Sequence, residues 1–328
     1  MSPRLSLALE QGGLVLPEDG RIAVFHPRLD MDLSDLPKDR VQIIQPFKPD
    51  HDGFAAQGFD CTPAAEGPYA ASIICLPRAK ALIRAVIHTA ASCTDGPLVI
   101  DGGKTDGIDS VLKDIRKRTD IGGPVSKAHG KIFWLAAAPD MFQDWRPPET
   151  QIVDGFHTAP GVFSADGIDP ASAFLVNTLP KQLGKRVADL GAGWGYLSRH
   201  LLADPKLETL DLVEADHIAL DCARLNVTDP RARFHWADAT RWTPDHRVDA
   251  VVMNPPFHTS RAADPGIGQA FIEAAARCLT PSGTLWMVAN RHLPYETTLA
   301  TRFAHVDSVA SNYRFKVLRA TRPSRPRR

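Results

Sequence analysis

Three features of the 328-residue chain predict an α/β protein built from two tandem Rossmann-like domains. Short apolar runs alternate with helical periodicity through the C-terminal half. One of those runs passes straight into a Gly-x-Gly-x-Gly turn. Much of the same succession recurs in the N-terminal half. Strands alternating with helices pack as a mostly parallel, doubly wound sheet. The stretch from Asp144 to Asp154, DWRPPETQIVD, has two adjacent prolines and no periodicity. The boundary is therefore set there, giving domains 1–148 and 149–328.

The C-terminal elements follow in order. Arg186–Leu190 is a short apolar strand that enters the Gly-rich turn, and Tyr196–Ala203 continues as a helix. Leu210–Glu214 is the second strand. The next helix sets Ile218, Cys222 and Leu225 on one face at i, i+4 and i+7. Arg233–Asp238 is the third strand and Val248–Met253 the fourth, the latter apolar enough for a sheet covered on both faces. A helix with Phe271, Ile272, Ala275 and Leu279 inward precedes strand Thr284–Ala289. Val306–Leu318 reads as two short strands.

In the N-terminal half, Ala70–Leu76 stops at Pro77 much as VDAVVMN stops at Pro255. A helix carrying Leu82, Ile83, Val86, Ile87 and Ala90 follows, then strand Leu98–Asp101. GGKTDGIDSVLKDI parallels NRHLPYETTLATRF, and SKAHGKIFWLAA parallels SNYRFKVLRAT. These matches predict an internal duplication in which the first copy lacks the ligand motif. Gly103-Lys104-Thr105 imitates the end of a phosphate-binding loop, but the required first glycine falls at Leu98.

Composition narrows the class. Hydrophobic residues at 44% and charged residues at 23% are ordinary for a soluble globular chain and exclude disorder as the default. No apolar run approaches the roughly 18 residues of a membrane span, and the N-terminus lacks signal-peptide features. Five scattered cysteines without a C-x-x-C pair fit a reducing cytoplasm and argue against a zinc site. No histidine pair has metal-ligand spacing, and Asp50-His51-Asp52, in a Pro/Gly-flanked loop, reads as a polar turn ahead of the alternative of a weak cation site. A cytoplasmic, metal-free, monomeric protein is expected. The 38 basic and 38 acidic residues balance, with 17 against 20 in residues 1–150 and 21 against 18 in the remainder. Seven basic residues and no acid lie between Arg314 and Arg328. That tail is either a frayed, solvated terminus or a source of affinity for phosphates.

The strongest local signal is Val187-Ala188-Asp189-Leu190-Gly191-Ala192-Gly193-Trp194-Gly195. Glycines at a strand-to-helix turn let the backbone approach a ligand closely. Two details turn the motif away from dinucleotides. Tyr196 stands where their third glycine belongs, and Asp189, expected at the loop mouth, would repel a pyrophosphate. A carboxylate there suits a cationic ligand such as the amino group of a methionine moiety. Glu214 ends the next strand, placed to accept from ribose hydroxyls. Asp238 ends the third, placed to accept from an adenine amine, with the Ala239 backbone beside it. Three acids at successive strand ends point to S-adenosylmethionine.

The fourth strand ends in Asn254-Pro255-Pro256-Phe257-His258. Two prolines remove two donors and stiffen the chain. The Asn254 side-chain carbonyl and the Pro255 backbone carbonyl then accept from one planar NH₂, and the developing positive charge on nitrogen is stabilised. Phe257 offers a face for a base to stack on. His258 either contacts substrate or packs at the pocket edge.

Gly161-Val162-Phe163-Ser164, Asp166-Gly167-Ile168-Asp169, the DLGAGWGYLS loop and NPPFH together resemble the ribosomal RNA small-subunit methyltransferase C family. That resemblance covers Gly161–Ala320 most closely. It implies two class I methyltransferase domains, of which only the second binds S-adenosylmethionine, through Asp189, Gly191, Ala192, Gly193, Gly195, Glu214, Asp238, Ala239 and Asn254. It also implies that residues 254–257 hold a guanine N2 amine of 16S ribosomal RNA, with Phe163 and His258 near the substrate. Asp169-Pro170 independently reads as a helix N-cap and first helical residue. Trp194 departs from the smaller or polar residues usual in the loop. Three alternatives stay open: a large-subunit guanine-N2 enzyme, a glutamine-N5 protein methyltransferase, and a non-catalytic RNA-binding module. Phe257, where glutamine enzymes carry Tyr, leans against the second. The intact acids lean against the third.

Overall fold

The computed structural model describes residues 3–256 and 265–324. The chain divides between Glu149 and Thr150 into two compact units. In the first, helix α1 (Pro3–Glu10) precedes β1 (Ile22–Phe25), β2 (Val41–Ile44), α2 (Lys48–Ala56), β3 (Asp60–Thr62), β4 (Ala71–Cys75) and α3 (Lys80–Ser92). It closes with β5 (Pro97–Gly103), α4 (Ile108–Ile115), β6 (Gly122–Lys127) and β7 (Gly130–Ala136).

The second unit starts with the hairpin β8 (Gln151–Val153) and β9 (Phe156–Thr158), then α5 (Pro170–Thr178), β10 (Arg186–Leu190), α6 (Tyr196–Leu201), β11 (Thr209–Glu214) and α7 (His217–Asn226). There follow β12 (Ala232–Trp236), β13 (Val248–Met253), α8 (Pro265–Cys278), β14 (Leu279–Asn290), α9 (Tyr295–Arg302), β15 (Phe303–Ser311) and β16 (Phe315–Pro323). The two large sheets have the same order: β3-β2-β1-β4-β5-β7-β6 and β12-β11-β10-β13-β14-β16-β15. In each, five parallel strands are extended by an antiparallel pair.

Burial explains the sequence pattern. Ala250, Val251, Val252 and Met253 are fully buried, as are Ile22, Ala23 and Val24. A strand covered on both faces reads as an unbroken apolar run, and each large aliphatic side chain so buried contributes roughly 1.5–3 kcal/mol. The duplication extends further than the sequence match, because β1, β2 and β3 complete the first sheet. These strands have only three or four residues, too few to print a period.

Several elements differ from expectation. Leu225 is 60% exposed, because α7 buries Ala219, Leu220, Cys222 and Ala223. At 3.6 residues per turn, Leu225 points roughly 140° from the centre of that face. Leu279 is buried, but as the first residue of β14 rather than on a helix. Asp50-His51-Asp52 lies in α2, where Lys48 pairs with Asp52 one helical turn away. The supposedly aperiodic boundary contains β8, closed onto β9 by an Asp154-Gly155 turn with φ of +52° and +77°. This is the pair a two-residue hairpin favours. The basic tail is not frayed through Pro323. It forms β16, where Lys316 is buried and paired with Glu296 at 2.6 and 2.8 Å. Among the described residues no helix is long and apolar enough to cross a membrane.

Candidate active site

The sheet order brings the candidate residues to one edge. β12, β11, β10 and β13 are neighbours. Leu190 lies opposite both Val213 and Met253, so the Gly-rich turn and Asn254 leave adjacent strands at the same level. Gly191 and Ala192 donate their N–H groups to the Val213 carbonyl at 2.9 and 3.1 Å, which folds the loop back across the strand end. Gly193 has φ of +55° and open space where a side chain would stand. Gly195 has φ of +88°, and a Cβ there would meet Val227 at 3.0 Å. The first glycine leaves room for a ligand, and the second permits close packing on α7.

Asp189 is not at an open mouth. It is fully buried beneath the loop, with Oδ2 accepting from Ser198 Oγ at 2.7 Å and Oδ1 buried without a partner. Burial pushes its carboxyl up to about 7. The Ser198 hydroxyl opposes the shift and the Glu214 charge adds to it. Glu214 accepts from Gly193 N at 2.7 Å and Asp216 N at 2.8 Å, and burial raises it as well. Asp216 caps α7 by accepting from Ile218 N at 3.0 Å. Burial, with the Glu214 charge second, pushes it up to about 6. Backbone N–H groups and one hydroxyl solvate these three acids. Among the described residues no lysine or arginine pairs with them. Such a cluster favours a cation placed above the loop.

Asp238 lies just beyond β12. Its Oδ1 accepts from Thr240 N at 2.8 Å and Thr240 Oγ at 2.7 Å, and its Oδ2 is 3.8 Å from Arg241 Nε. Ala239 is buried beside it. Asn254 is held from the far side of the sequence. Its Nδ2 donates to Asp169 Oδ2 and to Ser172 Oγ, both at 2.9 Å. A carboxylate only accepts, so the amide has one orientation and its carbonyl remains as the acceptor. Asp169 Oδ2 also caps α5 by accepting from Ser172 N at 2.8 Å, with Pro170 as first helical residue. Pro255 is buried and Pro256 exposed. Phe257 and His258 lie outside the described residues.

Trp194, the unusual loop residue, has a structural use. It is buried against Phe156 at 4.9 Å between ring centres, and its Nε1 donates to the Phe163 carbonyl at 2.9 Å. Asn226 adds a clamp, donating to the carbonyls of Trp194 and His157 at 2.7 and 2.8 Å. These contacts tie the loop to the segment carrying Phe163, which is 60% exposed. Sequence reading missed the Asp169 and Ser172 contacts to Asn254, since no local pattern links positions more than eighty residues apart. It also missed Ser198, Asn226 and Asp216. Only Asp216 carried a signal, an acid immediately before a helix.

Sheet order and loop together define a Rossmann-like methyltransferase. Residues 154–319 match the family model "Methyltransferase small domain". The ribosomal RNA small subunit methyltransferase C of Shewanella halifaxensis is 33% identical over 261 residues, 75% of each chain. The ribosomal RNA large subunit methyltransferase G of Aeromonas salmonicida is 37% identical over 171 residues, half of this chain and 45% of that protein. Among solved structures, the Thermus thermophilus 16S rRNA N2 G1207 methyltransferase, in complex with AdoMet and guanosine, superimposes with a TM-score of 0.77 at 25% identity. That match covers 94% of this chain and 90% of the other. The chain belongs to the ribosomal RNA small subunit methyltransferase C family.

Proposed function

We propose that this chain methylates the exocyclic N2 amine of a guanine in small-subunit ribosomal RNA, using S-adenosylmethionine. The observation that carries this reading is the Asn254 side chain, its amide turned inward by Asp169 and Ser172 beside the Gly-rich loop. The residues present fit the cofactor. Asp189 Oδ1 is an orphaned buried carboxylate oxygen, and the open side of Gly193 leaves space for a bound group. When bound, the cofactor supplies an electrophilic sulfonium methyl and a second positive charge on its amino group. Asp189 would hold those charges through its field, Glu214 would take the ribose hydroxyls, and Asp238 the adenine amine. Gly191, Ala192, Gly193, Gly195 and Ala239 supply backbone at close range.

The chemistry follows from the amine. The N2 lone pair of guanine is delocalised into the ring. The Asn254 carbonyl, with the Pro255 backbone carbonyl, would accept its two hydrogens and let the nitrogen rehybridise. The same acceptors stabilise the positive charge that grows there. Preorganised acceptors of this kind are worth roughly 10²–10³ in rate. Within domain 149–328, Phe163 and Phe257 are the candidate base platforms and His258 a candidate edge contact. We assign domain 1–148 a supporting role without a cofactor, because its strand-end residues are neutral where these are acidic.

Tritium transfer from labelled S-adenosylmethionine to separated small subunits, large subunits and protein-free ribosomal RNA, all from a strain lacking this gene, tests the reading. Label in small-subunit RNA, released as N2-methylguanine on digestion, is expected. Label in large-subunit RNA or in a protein glutamine would replace the substrate. Failure to bind the cofactor would leave a non-catalytic module.

A further inference from the structure

Of the large apolar and aromatic side chains among the described residues, Tyr313 is the most exposed, at 85%. It stands in the turn between β15 and β16, beside Arg314, whose guanidinium lies 5.2 Å from the Phe315 ring centre. The turn is braced by a side chain of its own: Asn312 Oδ1 accepts from the N–H groups of Arg314 and Phe315 at 2.8 and 2.7 Å. The segment after β14 is fastened to it, since Arg291 N donates to the Arg314 carbonyl at 2.8 Å. Asn290, Arg291, His292, Tyr313 and Arg314 line an open concavity of about 620 Å³. Among the described residues neither Arg291 nor Arg314 has a carboxylate partner, and the nearby acid Glu296 is matched by Lys316.

The concavity belongs to the same sheet edge as Asn254. β13 and β14 are parallel neighbours with Met253 opposite Met287. Asn290 therefore lies about 7 Å further along the strand direction than Asn254, and roughly 5 Å to the side. β16 is antiparallel to β14, with Phe315 opposite Asn290, so its preceding turn returns to this edge.

We propose that this concavity docks the single-stranded RNA flanking the target guanine, an inference that rests on the ribosomal RNA reading above. A guanine whose N2 faces a protein pocket must leave its stack, and the flanking strand then needs holding. Single-stranded RNA is gripped by aromatic faces that stack on unpaired bases and by cations on the backbone. Tyr313 supplies the face. Arg291 and Arg314 supply planar forks whose geometry matches phosphate. Their charge complements a polyanion, which the chain as a whole, with zero formal net charge, does not attract.

The test is fluorescence anisotropy of a labelled, protein-free fragment of small-subunit ribosomal RNA with the full chain, over a range of salt concentrations. Arg291→Ala/Arg314→Ala should weaken binding about ten-fold and flatten the slope of log affinity against log salt by about 1.4, two phosphate contacts at roughly 0.7 each on a single strand. Tyr313→Ala should weaken it about five-fold or more with the slope unchanged. Lys181→Ala/Lys206→Ala, two exposed lysines at the opposite sheet edge, should change neither. Unchanged affinity when Arg291→Ala, Tyr313→Ala and Arg314→Ala are combined overturns the inference. So does equal loss in the lysine control, or no measurable affinity of the unaltered chain. Reduced methylation of assembled subunits with unaltered RNA affinity would place a protein on this surface instead. Methyl transfer by the unaltered chain is measured in parallel. If it labels no ribosomal RNA, the functional reading fails, whatever the binding arm gives.

Discussion

Where β10 ends, Gly191 has φ of +76° and donates to the Val213 carbonyl at 2.9 Å; where β1 ends, His26 has φ of +52° and donates to the Ile44 carbonyl at 2.9 Å. The turn begins identically in the two sheets and then diverges. Ala192 continues with a second N–H to Val213, whereas its counterpart Pro27 has none to give. One strand over, Glu214 and Gln45 occupy matching register positions. Each side chain accepts from the backbone two residues on, Asp216 and Phe47. The second oxygen of Glu214 accepts from Gly193, whereas the amide of Gln45 donates to the Pro27 carbonyl at 2.7 Å. By the same registers Asp189 corresponds to Val24, Asp238 to Ala65 and Asn254 to Cys75. The apolar strands carry the fold in both units. At the strand ends the two units differ by a handful of side chains, acidic or amide in the second and neutral in the first.

The comparison breaks most visibly at Asn254. Asn254→Ala should cut methyl transfer by roughly 10²–10³ while leaving cofactor affinity within a few-fold, read by single-turnover kinetics and calorimetry. Equal loss of both would move Asn254 to the cofactor site. Next is Glu214→Gln, which copies the first unit's residue into the second. Loss of charge-assisted hydrogen bonds predicts about ten-fold weaker cofactor binding or more, with the unfolding midpoint lowered, because the new amide NH₂ faces the N–H of Gly193 or Asp216 and leaves that donor without an acceptor. A variant that binds normally removes the ribose role from Glu214.

The reciprocal change, Gln45→Glu, sets a buried carboxylate against the Pro27 carbonyl. It should destabilise the chain by about 1–3 kcal/mol and create no cofactor site, as measured by denaturant unfolding. The smallest effect is in pH. Asp189, pushed up to about 7 by burial, holds a proton in the unbound fold that the unfolded chain releases near 3.8. Stability of the unbound protein should therefore fall as pH rises from about 4 to about 7 and level off above. A cationic ligand favours the charged form, so cofactor affinity should rise about ten-fold between pH 6 and pH 8. Asp189→Asn should flatten that profile.

Much of this was legible in the residues, and the exceptions have physical causes. Val248–Met253 and Arg186–Leu190 match their predicted limits because a doubly covered strand advertises itself by composition. β1, β2 and β3 did not, being short and joined by polar, proline-containing segments. In the site, the loop glycines and strand-end acids were readable as a motif. Asp189's burial was not, because depth beneath a loop depends on what α6 and α7 pack around it. Nor was the Asp169–Asn254–Ser172 network, which joins a helix cap to a strand end through the tertiary fold alone.

The most direct test of one working sheet and one silent one is calorimetric titration of the full chain with S-adenosylmethionine. A stoichiometry of one per chain is predicted, with binding weakened by Glu214→Gln and untouched by His26→Ala. Two equivalents bound, or a single equivalent indifferent to Glu214→Gln, would contradict the account.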